Sequence, residues 1–372
     1  MNLIEEFKKG QDGGNKGIPF SSVEGLKTIS DTINGVQRGR KYVIGAPPKT
    51  GKTTLADAMF VMGIYLEYLR EPFNIEWVYF SFEINRIEKE FEFCVFFMNR
   101  DYGITHIGLP GGSTKDGENE IPLSSEYLMG RVTDDQGNLV KVSEKVREVL
   151  KSVYTDRIIP LFGEYDSEGL QITKGLITFI KDRDNPTGLK KFLESHAEAN
   201  GKFHKSTVEG NHRTGRYIPN DPFKYTIVIT DHVRKVVTER NFNLKQTVDK
   251  YSEYTCDMRD ICGYTFVDIV HTNRFVDEQR LKFSGDMIFP NSDDLKETGN
   301  LAEDANYVFT MFNPNDERYR LSTHFGHPVR DRSGNLYEPE LRTVHLVDSR
   351  HCYYPQHFKT RMKGNLKTFE KL

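Results

Sequence analysis

Residues 45–57 read GAPPKTGKTTLAD. The run Ala46, Pro47, Pro48, Lys49, Thr50, Gly51, Lys52, Thr53, Thr54 fits the phosphate-loop (Walker A) pattern, with alanine where the first glycine usually stands. An apolar run, KYVIG, precedes it, and a helical pattern, KTTLADAMFVMGIYLEYL, follows, so the loop is predicted to join a strand to a helix. The chemistry of such a loop is triphosphate binding. A helix N-terminus presents free backbone N–H groups and a partial positive charge to phosphate oxygens. Gly51 lets the backbone wrap closely, Lys52 reaches the β- and γ-phosphates, and the Thr53 hydroxyl ligates Mg²⁺. ATP and Mg²⁺ are the expected cofactors.

Hydrolysis asks for a second acid beside the metal and a base for the attacking water. Tyr225-Thr-Ile-Val-Ile-Thr-Asp231 is an apolar run ending in an acid, which predicts Asp231 at the carboxyl edge of a sheet as the Mg²⁺-shell carboxylate. Many phosphate-loop ATPases carry a glutamate directly after that acid; here the next residue is His232. The base is therefore sought at the end of the other early strand, Val78-Tyr-Phe-Ser-Phe-Glu83, because neighbouring parallel strands bring their C-terminal tips together. Glu83 could instead be a capping or solvent-facing acid before INRIEKE.

The elements that must position these residues are legible in outline. KYVIG and EWVYFSF read as strands and RIEKEFEFCVFFM as a helix, a βαβ rhythm that predicts an α/β fold with a mostly parallel sheet between helices. Strand signals return from 225 in YTIVIT, YTFVDIV, NYVFTMF, RTVHLV and HFKTRMKG. Between them, residues 101–224 open on GLPGGSTKDGENEIP and then read as a large, mainly helical insertion. VSEKVREVLKSVY, LQITKGLITFIKD and PTGLKKFLESHAEAN are its expected helices, and IIPLFG an expected strand. Residues 1–20 read as an N-terminal arm or linker helix, and 21–372 as one ATPase domain. Charged residues make up 28% and hydrophobic ones 37% of 372 residues, which suits a soluble globular chain, and no apolar run approaches the roughly 20 residues needed to span a bilayer. No membrane partner is expected. Four scattered cysteines without a CxxC pair fit a reducing cytoplasm, that of a host cell if the chain is phage-encoded.

These residues resemble the RecA-like motor domain of DnaB-type replicative helicases. A proline-containing phosphate loop is followed by an acid in an F-S-x-E setting at the end of the next strand. Gly25-Leu-Lys-Thr-Ile-Ser-Asp-Thr-Ile-Asn-Gly35-Val-Gln-Arg-Gly39 is similar to the family's lead-in, and Asp294-Leu-Lys-Glu-Thr-Gly299-Asn-Leu-Ala-Glu-Asp304-Ala-Asn to its D-L-R-E-S-G-x-I-E-Q-D-A-D segment. Val347-Asp-Ser-Arg350-His resembles the strand end carrying its arginine finger. The resemblance covers 21–100 and 225–372. It implies an ATP-driven 5′–3′ translocase on single-stranded DNA that unwinds duplex during replication as a ring of six, served by a primase or helicase loader. It implies a core-only, phage-like version without the N-terminal primase-binding domain. Glu83 falls on the catalytic glutamate, Asp231 on the Mg²⁺-shell acid, His271 on the γ-phosphate sensor and Arg350 on a finger donated to a neighbouring subunit.

Three departures stand out. Asp348 replaces the lysine two residues before the finger, His271 replaces a glutamine, and 101–224 is longer than the family's link. The loops after the Asp231 and His271 strands line the central channel in RecA-like motors; here they supply Arg234, Lys235, Arg240, Lys245, Arg280 and Lys282 for phosphate tracking. Two other readings remain open: a RecA/RadA-type recombinase or mediator built on the same core, and a regulatory or assembly ATPase that needs no DNA.

Overall fold

The segments KYVIGA (Lys41–Ala46) and IEWVYFS (Ile75–Ser81) bury every residue. Strands buried on both faces belong inside a sheet that helices cover on either side. Such a sheet is what the computed structural model shows. It describes residues 16–108, 120–134, 137–204, 216–272 and 285–372; most of the expected N-terminal arm, as well as Arg280 and Lys282, lies outside these residues. The central strands are β1 (Lys41–Ala46), β2 (Ile75–Ser81), β3 (Ile177–Ile180), β4 (Tyr225–Asp231), β5 (Thr265–His271), β6 (Tyr307–Phe312), β7 (Leu341–Ser349), β8 (Gln356–Lys363) and β9 (Thr368–Lys371). Their spatial order is β9-β8-β7-β6-β1-β5-β4-β2-β3. The run from β6 to β3 is parallel, and β7, β8 and β9 continue it antiparallel. This is the RecA-like α/β architecture expected.

Helices follow the strands where local sequence allows them. After the phosphate loop, α1 (Lys52–Asp57) runs through a π-helical turn (Ala58–Met62) into α2 (Gly63–Arg70), and every residue of that turn is buried. Helix α3 (Arg86–Tyr102) starts at a capping box in which Asn85 and Glu88 satisfy each other's backbone N–H groups, and ends at Gly103 with φ 65°. The expected helices at 144 and 186 form as α4 (Glu144–Val153) and α5 (Pro186–Asn200), and α6 (Leu244–Cys262) covers the far side of the sheet between β4 and β5.

Two expectations within 101–224 need correction. LQITKGLITFIKD is not helical. Gln171–Lys174 pairs as a strand with Gly163–Tyr165, and Ile177–Ile180 becomes β3, adding to the edge of the main sheet beside Trp77–Phe80. There Phe179 stacks on Tyr79 at 5.7 Å, a cross-strand pair that outweighs weak local propensity. IIPLFG is not a strand either: α4 continues through a π-helical turn (Tyr154–Ile158) into a four-residue helix at Ile159–Phe162, with Pro160 in its first turn, where the missing N–H costs little. A short apolar run cannot be told from a buried helical segment by periodicity alone. The stretch is thus mixed, and its Val153, Ile158, Leu161, Phe162 and Ile177 join the principal core.

Deep in the sheet, the Lys41 ammonium lies 3.5 Å from Asp268, with both side chains fully buried. It also donates to Ser252 Oγ at 2.7 Å and Thr255 Oγ1 at 2.9 Å, while Tyr251 donates to Asp268 at 2.6 Å. These partners lie on α6, so the network pins that helix to β1 and β5. The lead-in is pinned as well: a Cβ on Gly25 would lie 2.6 Å from the Glu370 carbonyl oxygen, so only glycine lets it pack against β9.

Candidate nucleotide site

The carboxyl edge of the parallel strands carries the expected chemistry. The phosphate loop leaves β1 at Ala46, turns with Thr50 N–H donating to Pro47 C=O, and reaches φ 63° at Lys49 and 107° at Gly51. Only glycine takes up the second of these without strain. No side chain caps α1, so its first N–H groups point into the loop. Lys52 is buried at the base; burial lowers its pKa, and Asp231 and Glu83 oppose that shift. Pro48 and Lys49 are exposed on the loop's outer side, and Thr54 is half-buried in the first turn of α1.

Asp231 ends β4, two strands from β1, with β5 between them. It is 1% exposed, and the Thr53 hydroxyl donates to its Oδ1 at 3.4 Å. Burial pushes its carboxyl up to about 6, against the pull of Lys89 and Lys52 and with a further push from Asp57 and Glu83. A buried carboxylate facing a threonine hydroxyl beside a phosphate cradle suits Mg²⁺, which keeps several waters and substrate oxygens and needs few protein ligands. Among the described residues no larger cluster of metal-binding side chains exists. The residues present therefore fit a metal shared with phosphate.

Glu83 follows β2 in a bend, and the backbone N–H of Phe82 donates to the Asp231 carbonyl at 2.6 Å, so the two strand tips are locked in register. Its side chain is exposed, and its charge acts on Lys52, Asp231 and His271 alike. Asn85, rather than Glu83, caps α3, which removes the capping alternative. His271, at the tip of β5, has its pKa lowered by burial and by Lys52, so it is neutral near pH 7. It stacks on His232 with ring centroids 4.2 Å apart. Burial, His271 and nearby cations bring His232 down to about 2.

Arg350 is elsewhere. Its backbone N–H donates to Asn306 C=O, and Asn306 N–H to Lys41 C=O, so it sits at the start of β1, on the edge of the sheet opposite its own phosphate loop. It is exposed and donates to the Glu303 carbonyl, not to Asp348. Asp348 is half-buried and pairs through its backbone with Val308. Arg234 and Lys235 lie in a 3₁₀ turn just past Asp231, and Arg240 and Lys245 are exposed further along the same connection.

Several contributors escaped the motif reading. Arg342 Nε donates to the Thr50 carbonyl at 3.3 Å, and Met362 backs the loop so closely that a Cβ on Gly51 would lie 2.3 Å from its Sδ. Lys89, fully buried, holds Asp57 at 2.7 Å and Glu92 at 3.2 Å, and its charge reaches Asp231. Nothing in KEFEF marks that lysine as internal. His232 could have been found, since it stands where a glutamate was sought.

No protein-family model matches the chain, and no curated protein does. Solved structures do. Its full length aligns with 97% of a solved ATPase domain of the DnaB-like helicase type, at 14% identity and a TM-score of 0.64. The chain has the fold of a DnaB-like helicase ATPase domain. A second neighbour, "The Structure Of A DnaB-Like Replicative Helicase And Its Interactions With Primase", aligns over all of this chain and 67% of its own, at 13% identity and a TM-score of 0.61. In this DnaB-like fold the 101–224 stretch aligns along with the rest, in keeping with β3 belonging to the sheet. Among the described residues no helix is long and apolar enough to cross a membrane.

Proposed function

We propose that this chain is the ATP-hydrolysing motor of a DnaB-like DNA helicase, working as a ring on single-stranded DNA. The observation that carries the proposal is the division of the site between two edges. Lys52, Thr53, Asp231, Glu83 and His271 converge on one edge of the sheet, while Arg350 stands exposed on the other. An arginine so placed can serve a phosphate loop only on another copy.

In this reading Lys52 and the loop amides of 46–54 bind the triphosphate. Thr53 and Asp231 hold Mg²⁺, which supplies charge neutralisation at the β- and γ-phosphates when bound. Glu83 orients the attacking water, and neutral His271 donates a hydrogen bond toward the γ-phosphate. A cleft of about 390 Å³ opens beside Pro47–Thr50 and Thr272. Another, of about 430 Å³, lies along Arg342, Met362 and Lys363; because Arg342 and Met362 also touch the loop, the nucleoside end is assigned to it. Arg234, Lys235, Arg240 and Lys245 track the DNA backbone.

The test is ATP turnover with and without oligo(dT), together with unwinding of a forked duplex and particle mass in the presence of an ATP analogue. Stimulated turnover, unwinding with 5′–3′ polarity and a six-membered ring are expected. Strand exchange with a homologous duplex, or turnover indifferent to DNA in a protein that stays monomeric, refutes the reading.

A further inference from the structure

His232 has no role in the chemistry above, yet its surroundings are specific. The residue is 1% exposed. Its Nδ1 accepts the backbone N–H of Arg234 at 3.2 Å, and an accepting ring nitrogen carries no proton, so in the neutral imidazole the proton sits on Nε2. That Nε2–H is a buried donor without a hydrogen-bond partner among the described residues. Leaving such a donor unmade is costly. The neighbouring tip of β5 shows the same deficit: His271 Nδ1 and Thr272 Oγ1 are buried and lack partners among the described residues. Elsewhere in β4 and β5, buried polar groups such as Thr230 are paired, in that case with Tyr251 at 2.7 Å. The unfilled atoms thus gather at two adjacent strand tips facing Lys52 and Glu83.

The two rings are in van der Waals contact, centroids 4.2 Å apart and planes at 35°. His232 therefore has a hydrogen bond to the backbone of the basic turn at one end and a face against His271 at the other. A shift of the Arg234 backbone carries the Nδ1 anchor with it, and close packing leaves the His271 ring no room to stay behind.

We propose that His232 is a positioning residue linking the Arg234–Lys235 turn to His271, so that a phosphate polymer drawn onto the turn resets the imidazole facing the nucleotide. The proposal rests on the DNA-motor reading. Coupling runs through three contiguous contacts: Arg234 backbone to His232 Nδ1, His232 ring to His271 ring, and His271 to the triphosphate.

Two substitutions separate the links. His232→Phe keeps an aromatic ring against His271 and loses the Arg234 anchor. His232→Asn keeps a side-chain acceptor two residues before the Arg234 N–H, as in an Asx turn, and loses the stack. ATP turnover is measured with and without oligo(dT), alongside ¹⁵N spectra of histidine-labelled protein with ADP–beryllium fluoride. For both variants KM for ATP is expected to stay within about threefold of wild type, while the DNA-stimulated rise in kcat falls at least about tenfold. In wild type, His232 should show the Nε2–H tautomer and oligo(dT) should move the His271 ring signals; in His232→Phe those signals should stop responding. If wild type responds to oligo(dT) and both variants respond equally, the coupling role is overturned and the motor reading survives. If wild-type turnover ignores oligo(dT), both fall. An Nδ1–H tautomer for His232 overturns the proposal on its own, whether or not a variant folds.

Discussion

Arg350→Ala tests the two-edged site directly. Arg350 is level with Lys41 at the start of β1, and the phosphate loop begins beyond Ala46. Five steps of about 3.3 Å separate those ends by ~17 Å, several times the reach of an arginine side chain. Action in cis is excluded by that span, and the effect of the substitution must appear at a neighbour's nucleotide. An arginine supplied in trans is worth on the order of 10³-fold in kcat, about 4 kcal/mol of transition-state stabilisation. Within its own chain the substitution removes one hydrogen bond, from an exposed guanidinium to the Glu303 carbonyl, so unfolding stability should drop by no more than about 1 kcal/mol. The assay is steady-state ATP turnover of Arg350→Ala, of Lys52→Ala, and of an equimolar mixture. Each variant alone should be nearly inactive. In a head-to-tail ring, the mixture creates interfaces pairing an intact loop with an intact arginine in about a quarter of cases, so turnover should recover to roughly that fraction of wild type if interfaces fire independently. A mixture no more active than its components, with rings still formed, would refute action in trans and leave Arg350 a structural residue.

Glu83→Gln should bind a fluorescent ATP analogue with wild-type affinity while hydrolysing at least about 10²-fold more slowly, the usual contribution of a positioned base; unimpaired turnover would place the base elsewhere. Lys41→Met should cost about 3–5 kcal/mol in urea unfolding because it strands Asp268 in the core, whereas Lys41→Met with Asp268→Leu should recover most of the stability. A double variant as unstable as the single one would show that the pair itself stabilises. Burial alone would push Glu76 up, but His196 and Lys224 outweigh it and hold the carboxyl at about 2 rather than its usual 4.5. A depressed carboxyl stabilises the fold above pH 4.5 and loses that contribution as pH falls toward 2, at most about 3 kcal/mol by linkage. Glu76→Gln should flatten thermal-melt midpoints across that window; an unchanged acid limb would show that Glu76 is not its source.

Glu83 and Asp231 could be paired from sequence because each ends an apolar run, and run-ends gather at one sheet edge in any parallel arrangement. Their register could not. The Phe82–Asp231 backbone hydrogen bond and the interposition of β5 between β1 and β4 are outcomes of strand order, which no local pattern encodes. Gln171–Ile180 makes the opposite point: its side chains suit either period, and pairing with Trp77–Phe80 decided the matter. His271 was legible as a strand end, but its partner His232 was visible only as an unexpected residue. The contact between them exists because β4 and β5 are neighbours.

The amino-acid sequence by itself determined the phosphate loop, the strand-ending acids and the alternation of buried strands with capped helices, since each is written in residues a few positions apart. Tertiary structure alone decided which edge each functional side chain occupies, which lysines are internal, and that Arg350 stands across the sheet from the loop of its own chain. Those outcomes come from packing between segments far apart in sequence, where burial and strand pairing outweigh local preference by several kcal/mol.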